Sequence, residues 1–229
     1  MKALYSFFAV IILIALAYIG ITAEMYIIFG AVIPYIAATA FIFGIVYRII
    51  KWAKSPVPFK ITTTCGQQKS LPWIKRSRLE SPHTTLEVIG RMTLEILFFR
   101  SLFRNTKMSL KDGPKIIYGE NKWLWLAGLM FHWSFLIIVI RHLRFFFEPV
   151  PNFILYVQSL DGLLEIGVPV LYMTGVAALL SVTYLYLRRA LIPQINYISL
   201  VSDYFPLFLI MAIVITGGLM RIQHCGLIL

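Results

Sequence analysis

The sequence has too little charge to cover the surface of a soluble domain. Only 14% of its 229 residues are charged, whereas 59% are hydrophobic. Apolar runs of roughly 20 residues recur along the chain, and a run of that length crosses a hydrocarbon core about 30 Å thick. Because the backbone of such a run must hydrogen-bond within itself, the sequence predicts an all-α fold, a polytopic bundle of membrane helices.

Cysteine is also scarce, with Cys65 and Cys225 the two in the chain. They form no C-x-x-C pair and no C-x-x-C-H haem-attachment motif, which argues against covalently attached c-type haem. The topology predicted below places them on opposite sides of the membrane, so we expect no disulfide between them. Cys65 stands alone and is interpreted as a bystander rather than as a ligand of an iron–sulfur cluster.

The apolar runs predict about five membrane-spanning helices in a single membrane domain, residues 1–229. The predicted spans cover about residues 3–23, 26–50, 123–147, 163–187 and 200–220. The first run is also compatible with a signal peptide, but its length and the prompt start of the second span favour a retained helix. Within the connecting loop 51–121, apolar residues at near-helical spacing predict an amphipathic helix over 81–104.

Basic residues are concentrated in that loop. The net charge is +11, and residues 48–122 contain 15 of the 21 Lys and Arg but only 5 of the 10 Asp and Glu. The turn after the first span and the linker after the third contain no Lys or Arg. Because basic loops stay on the cytoplasmic side, this pattern predicts a cytoplasmic N-terminus and an external C-terminus. The loop contains no nucleic-acid-binding motif, and its cluster Lys75-Arg76-Ser77-Arg78 suits an acidic partner or anionic lipid equally.

Two of the four histidines, His132 and His142, lie in the third apolar span. An ionisable side chain at that depth is costly, which makes it a candidate functional group. Ten residues of helix separate the two by about 15 Å and turn them about 80° apart. They are too far apart to share one metal ion but suitably placed to ligate one haem each. Spacing alone leaves open that they hydrogen-bond to neighbouring helices or belong to a proton pathway.

Residues near this pair suit the same interpretation. Gly128 lies one turn before His132, where a missing side chain would let a porphyrin face approach the backbone. Arg141 and Arg144 could neutralise propionates on the haem nearer the outer face. His83, in the basic loop, is interpreted as solvated or facing a partner.

Few residues of the sequence indicate where a quinone would bind. Its candidate ring contacts are aromatic residues near the outer face, which more often form an interfacial belt. These residues are Trp133, Phe145, Phe146, Phe147, Tyr156 and Tyr172. Asp161 and Glu165 could accept protons from a quinol, but acids at a helix N-terminus more often stabilise the helix dipole.

The string Phe131-His132, nine residues and His142 resembles the haem-ligand helix of the gamma subunit of respiratory nitrate reductases. The segment 33–48 and the segment 201–220 resemble two further helices of that family. The resemblance covers roughly residues 28–221. Within the family it is closest to the DsrM-type and archaeal heterodisulfide-reductase-like menaquinol oxidoreductase cytochrome b subunits, which also carry an extra N-terminal span.

The resemblance implies an enzyme subunit, a haem b-containing subunit of a respiratory complex in a prokaryotic plasma membrane, linked to sulfur metabolism. It implies two haems b, with His132 as ligand of the cytoplasmic-side haem and His142 as ligand of the outer haem. It also implies menaquinone as the substrate near the outer haem. The expected electron-transfer partner is a cytoplasmic iron–sulfur subunit of heterodisulfide-reductase type.

One feature of the family has no counterpart in this sequence. Its members supply the opposite haem ligands from a further helix after the one that matches 200–220, and no such helix precedes Leu229. The opposite ligands would then belong to a missing segment or to another chain, and His224 is a further candidate for the outer haem. The alternative function is a non-redox membrane anchor or a small transporter with degenerate haem sites. Against a transporter, the sequence has no inverted repeat and no matching pair of broken helices.

Overall fold

The computed structural model of the protein is largely helical, as predicted. It describes residues 2–55, 72–73, 78–103, 107–111, 115–162 and 172–226. Its helices are α1 (Lys2–Thr22), α2 (Ile33–Ala53), α3 (Thr85–Phe98), α4 (Arg100–Phe103), α5 (Lys122–His142), α6 (Asn152–Asp161), α7 (Met173–Leu191), α8 (Pro193–Ile198) and α9 (Val201–Gly226). A π-helical turn, Ile28–Val32, leads into α2, and a 3₁₀ turn, Leu143–Phe145, follows α5.

Four stretches of the described chain are long and apolar enough to cross a membrane, which confirms a multi-pass membrane protein. They are Lys2–Thr22, Ile28–Ala53, Lys122–Phe145 and Val201–Met220. They agree with four of the predicted spans to within a few residues. The remaining span, predicted at 163–187, lies partly outside the described residues, and its second half falls in α7, which continues to Leu191.

Two elements differ from the sequence-based expectation. The linker after the third span contains a ten-residue helix, α6, which begins directly after Pro151 and buries Ile154 completely. The basic loop contains an antiparallel hairpin in which β1 (Lys107–Lys111) pairs with β2 (Lys115–Gly119). Both elements are short, and neither carries the long apolar run on which the prediction of helices was based.

The predicted amphipathic helix is present but broken at Phe99, whose φ is +48°. Its beginning has a capping box, in which the Glu87 amide donates to Thr84 Oγ1 and Glu87 Oε2 accepts from the Thr84 amide. Across the break, the carboxylate of Glu95 accepts hydrogen bonds from the amide and the hydroxyl of Ser101 at 2.9 and 2.5 Å. The left-handed residue therefore separates α3 from α4, while Glu95 links the two helices.

The chain divides into two compact units, residues 11–93 and residues 1–10 with 94–229. In the first, the chain turns after α1 at Glu24, whose φ is +57°. The ring of Phe29 lies against Gly20 so closely that a Cβ at Gly20 would overlap it. The turn between α1 and α2 therefore depends on a glycine at position 20.

In the second unit, α7 packs against both α5 and α9. Most of the buried residues on α5 and α7 are small, and small residues let helix backbones approach closely in a membrane. On α5 and α7 the buried residues are Ala127, Gly128, Ser134, Thr174, Ala178, Ser181 and Val182. Close packing thus fixes the helix that carries both histidines.

One end of this unit is held together by polar contacts. Lys2 Nζ donates to the Ser199 carbonyl at 2.8 Å, and the Ser6 hydroxyl donates to the Val201 carbonyl at 2.8 Å. Arg189 forms an ion pair with Asp203, with the nitrogen and oxygen 3.2 Å apart. The start of α1, the end of α7 and the start of α9 therefore lie together, as the predicted topology requires.

Replacing Ser6 with Ala should lower the free energy of unfolding by about 0.6 to 1.7 kcal/mol, the range for interhelical hydrogen bonds in membranes. Ser6 is completely buried and bonds to α9, so its loss removes a contact between helices. Ser55→Ala is the matched control, because Ser55 is exposed and its hydroxyl bonds to the Lys51 carbonyl four residues earlier, in the last turn of α2. Thermal unfolding in detergent would contradict this account if both variants lost equal stability.

Candidate functional site

Both candidate ligands lie on α5, as the sequence predicts. The helix begins at an Asn121 cap, whose side chain accepts a hydrogen bond from the Leu124 amide at 3.2 Å. It continues without a break to His142, and its last turn carries Arg141, whose positive charge interacts favourably with the helix dipole. The two histidines are therefore held on one continuous helix.

The two imidazoles are oriented by the same hydrogen bond. His132 Nδ1 lies 2.7 Å from the Gly128 carbonyl oxygen, and His142 Nδ1 lies 2.7 Å from the Ile138 carbonyl oxygen. Because a carbonyl oxygen can only accept, Nδ1 must carry the proton in each ring, which leaves the Nε2 lone pair available. A hydrogen bond at one ring nitrogen is the usual support for an imidazole that binds a metal through the other.

No group of three or more His, Cys, Asp or Glu within the described ranges is close enough to hold a metal ion. A haem iron differs from a free ion, because its porphyrin already supplies four ligands and the protein adds only axial ones. One imidazole per iron is therefore a meaningful contribution from this part of the chain.

A cavity of about 520 Å³ lies beside His142, between α5, α7 and α9. Its volume is within the range of about 300 to 1,000 Å³ that is usual for small-molecule and cofactor sites. The side chains of Arg141, His142 and Tyr172 give it a polar end, and the other lining residues are apolar or glycine. The cavity therefore combines a free imidazole nitrogen with an apolar wall.

Three of the lining residues are glycines, Gly175 on α7 and Gly217 and Gly218 on α9. A Cβ built on any of them meets no heavy atom within 4 Å. A side chain at these positions would occupy open space rather than collide with a neighbouring helix. The open space beside these glycines suits a flat ring system, so the residues that line this cavity fit a porphyrin.

A buried ion pair closes the polar end of the cavity. Arg141 Nη1 donates to Asp161 Oδ2, and the two side chains are 13% and 2% exposed. Asp161 also accepts from the amide and the hydroxyl of Thr174, at 2.9 and 2.6 Å. The carboxylate therefore joins α5 to the end of α6 and caps the start of α7, which is the helix-stabilising interpretation favoured from the sequence.

The Arg141 guanidinium also contacts Tyr172, and one of its N–H groups lacks a hydrogen-bond acceptor among the described residues. Its carbon lies 3.3 Å from the centroid of the Tyr172 ring, a cation–π contact. Its Nε is buried and has no hydrogen-bond partner among the residues that the structure describes. Since an unsatisfied buried donor costs about 1 to 3 kcal/mol, an acceptor beside Arg141 would be stabilising.

The end of α3 docks beside His132. The indole N–H of Trp125 donates to the Phe98 carbonyl at 2.6 Å, and that of Trp133 donates to the Leu97 carbonyl at 2.9 Å. These bonds satisfy two carbonyl groups that a helix end leaves without partners. They also place the ring of Phe99 edge-on to His132, with the centroids 4.8 Å apart.

Gly128 is buried where α4 approaches α5. A Cβ at Gly128 would lie 3.1 Å from Leu102 Cδ2, so its missing side chain admits Leu102. Its carbonyl accepts the hydrogen bond from His132. The predicted approach of a porphyrin to Gly128 stays a prediction.

The remaining candidates are distributed over the structure. Arg144 donates to Gln158 Oε1 at 3.1 Å on the exposed side of the α5–α6 connection, outside the cavity lining formed by the described residues. Tyr172 lines the cavity, whereas Phe145, Phe146 and Tyr156 are strongly exposed, as in an interfacial belt. Trp133 contacts α3 instead.

Several predictions fall outside the part of the chain that the structure describes. Cys65, Lys75, Arg76 and Glu165 lie in undescribed segments, and the side chains of His224 and Cys225 on α9 are not described. His83 is exposed just before α3, and its amide donates to Glu87 at 3.0 Å. Gly175 lines the cavity but is not among the residues predicted from the sequence. A glycine within a predicted span was the one signal that could have indicated it.

Comparisons with known proteins identify the family of this chain. Residues 98–226 match the family model for the nitrate reductase gamma subunit. A protein of Archaeoglobus fulgidus named Hdr-like menaquinol oxidoreductase cytochrome b-like subunit is 46% identical over 198 residues, covering 85% of this chain and 59% of that protein. A protein of the same name from Archaeoglobus profundus is 42% identical over 193 residues, covering 82% and 57%. The chain thus spans less than two thirds of these relatives, and no solved structure matches it.

Replacing Trp133 with Phe should loosen the end of α3, because Leu97 would lose its hydrogen-bond donor. A lost bond of about 1 kcal/mol corresponds to amide exchange about fivefold faster over residues 94–103. Hydrogen-exchange mass spectrometry measures this directly. Trp123→Phe is the control, since Trp123 is 70% exposed, and equal exchange in the two variants would argue against this docking.

Proposed function

This chain belongs to the nitrate reductase gamma subunit family, and from that membership we propose that it is the haem b-binding membrane subunit of a menaquinol-linked oxidoreductase complex. The observation that carries the proposal is the common arrangement of His132 and His142. Each ring donates from Nδ1 to the carbonyl four residues earlier and keeps Nε2 free. A hydrogen bond to another helix would have supported the merely structural alternative for these rings.

His142 is the proposed ligand of the outer haem. The glycine-lined cavity beside it supports this assignment, because it offers apolar walls around a free Nε2. Arg141 is the proposed partner of a haem propionate, since its buried Nε lacks an acceptor among the described residues. Arg144, which is exposed, would act on the same haem from the surface.

His132 is the proposed ligand of the cytoplasmic-side haem. The Nδ1 bond to Gly128 supports the assignment of His132 by fixing its ring. Phe99 and Phe131 flank the imidazole, with ring centroids 4.8 and 5.1 Å away, and restrict its rotation. The opposite axial ligands are proposed to come from outside the described side chains, with His224 among the candidates.

Bound haem b would supply reversible one-electron chemistry. His132 and His142 would hold the two haems, and ten residues of helix place these two ligands about 15 Å apart along α5. Menaquinol is the proposed donor on the outer side, in keeping with the name of the relatives, and a cytoplasmic iron–sulfur subunit is the proposed acceptor.

A reduced-minus-oxidised spectrum of the purified protein, with haem quantified per chain, tests the proposal. His132→Ala and His142→Ala should each remove one haem, because each change deletes one axial nitrogen. His83→Ala is the matched control, since His83 is exposed and lies outside α5, and it should keep both haems. Retention of both haems in either α5 variant would refute the assignment. A colourless wild-type protein would favour the non-redox anchor or transporter.

Gly175→Leu should prevent haem binding at His142 without unfolding the bundle. The leucine would enter open space beside the cavity and collide with a cofactor rather than with protein atoms. Gly44→Leu is the control, because a Cβ at Gly44 also meets nothing within 4 Å but lies on α2. Haem content and the melting temperature should be measured together. Full haem content in Gly175→Leu would show that the cofactor does not occupy this cavity.

A further inference from the structure

The buried pair of Arg141 and Asp161 adjoins the imidazole that the proposed function assigns to the outer haem. Arg141 precedes His142 in the chain, and both residues line the same cavity. Asp161 lies twenty residues further along, and its side chain is 2% exposed. The positive charge of the pair therefore lies at the wall of a site for a redox cofactor, and its counter-charge is fixed directly beside it.

The contacts of Asp161 show what it does there. One carboxylate oxygen accepts from the Thr174 amide, and the other accepts from the Thr174 hydroxyl and from Arg141. Both carboxylate oxygens are therefore engaged by donors from α5 and α7, which hold the carboxylate in place. These contacts make Asp161 a fixed partner of Arg141, and its role as a proton acceptor from a quinol stays a prediction.

The contacts of Arg141 fix the position of the positive charge. Asp161 holds one end of the guanidinium, and the ring of Tyr172 lies against its face at 3.3 Å. Charges in a poorly solvated site interact strongly with a nearby redox centre, because little water screens them. A cation favours the haem that has gained an electron, and an anion favours the haem that has lost one.

We infer that Arg141 and Asp161 form a charge-compensated pair that sets the reduction potential of the haem at His142, with Asp161 as the positioning residue that holds Arg141 at the cavity wall. This inference rests on the proposed haem function. Arg141 is next to His142 and nine residues from His132, so the pair acts more strongly on the haem at His142.

Redox titration of the purified, haem-loaded protein tests the inference with three variants. Asp161→Asn should raise the potential of the outer haem, because the Arg141 charge loses its counter-charge. Arg141→Gln should lower it, because the carboxylate then lacks its cation. A tenfold change in the reduction equilibrium, about 59 mV for one electron, is the expected size of each shift. The double variant should return close to the wild-type value.

Two controls separate charge from structure. The potential of the haem at His132 should move much less in each of these variants. Lys122→Gln removes an equal charge from the start of α5, but the Lys122 side chain is 70% exposed and lies twenty residues before His142, so solvent should keep its effect on the outer haem much smaller. Absorbance bands assigned with the single histidine variants identify which haem is titrated.

Opposite shifts that cancel in the double variant support the inference. Shifts of the same sign, no shift, or equal shifts of both haems would overturn it. The Asp161→Asn variant could lose the outer haem altogether. Recovery of that haem in the double variant would then support charge balance. Loss of the haem in the single and the double variant would assign Asp161 a purely structural role. A wild-type protein without haem refutes the proposed function and this inference with it, whereas a haem with a charge-insensitive potential refutes this inference alone.

Discussion

The hydrogen bond from each imidazole Nδ1 to the carbonyl four residues earlier is the contact on which the site depends. A helical carbonyl oxygen has two lone pairs and already uses one in the backbone ladder, so the second can receive a side chain. The bond selects the tautomer and sets the ring against its own helix. His132 and His142 thus present the same nitrogen in the same way, with no residue from another helix needed to orient them.

The bundle around α5 preserves that arrangement at both ends. Near His142, the Arg141–Asp161 pair connects α5 to α6 and α7. Near His132, two indole N–H groups of α5 hold the end of α3. Between these points, small buried residues let α7 approach α5 closely. The helix that carries the candidate ligands is therefore fixed by charge at one end, by hydrogen bonds at the other and by packing between them.

Local patterns explain what could be predicted from the sequence. An apolar run of about 20 residues has few folds open to it in a membrane, so the spans were predictable from composition alone. The histidine pair was equally visible, because two ionisable side chains in one span are costly. The Thr84–Glu87 cap is also a local pattern that sequence can show.

The features that could not be predicted from the sequence are contacts between residues that are far apart in the chain. Arg141 was assigned to a propionate, but its partner Asp161 is twenty positions away and meets it only after the chain folds back through α6. The break at Phe99 occurs where tryptophans of α5 receive the end of α3. The cavity is lined by glycines from two different helices, α7 and α9, and residue spacing in the sequence does not show that these glycines lie side by side.

A density map of the purified protein with its haem bound, at a resolution that shows the imidazole rings, tests the central claim most directly. The account predicts that Nε2 of His132 and of His142 each contact an iron, while each Nδ1 stays within hydrogen-bonding distance of its carbonyl. Iron bound through Nδ1, or two rings that contact only neighbouring side chains, would contradict it.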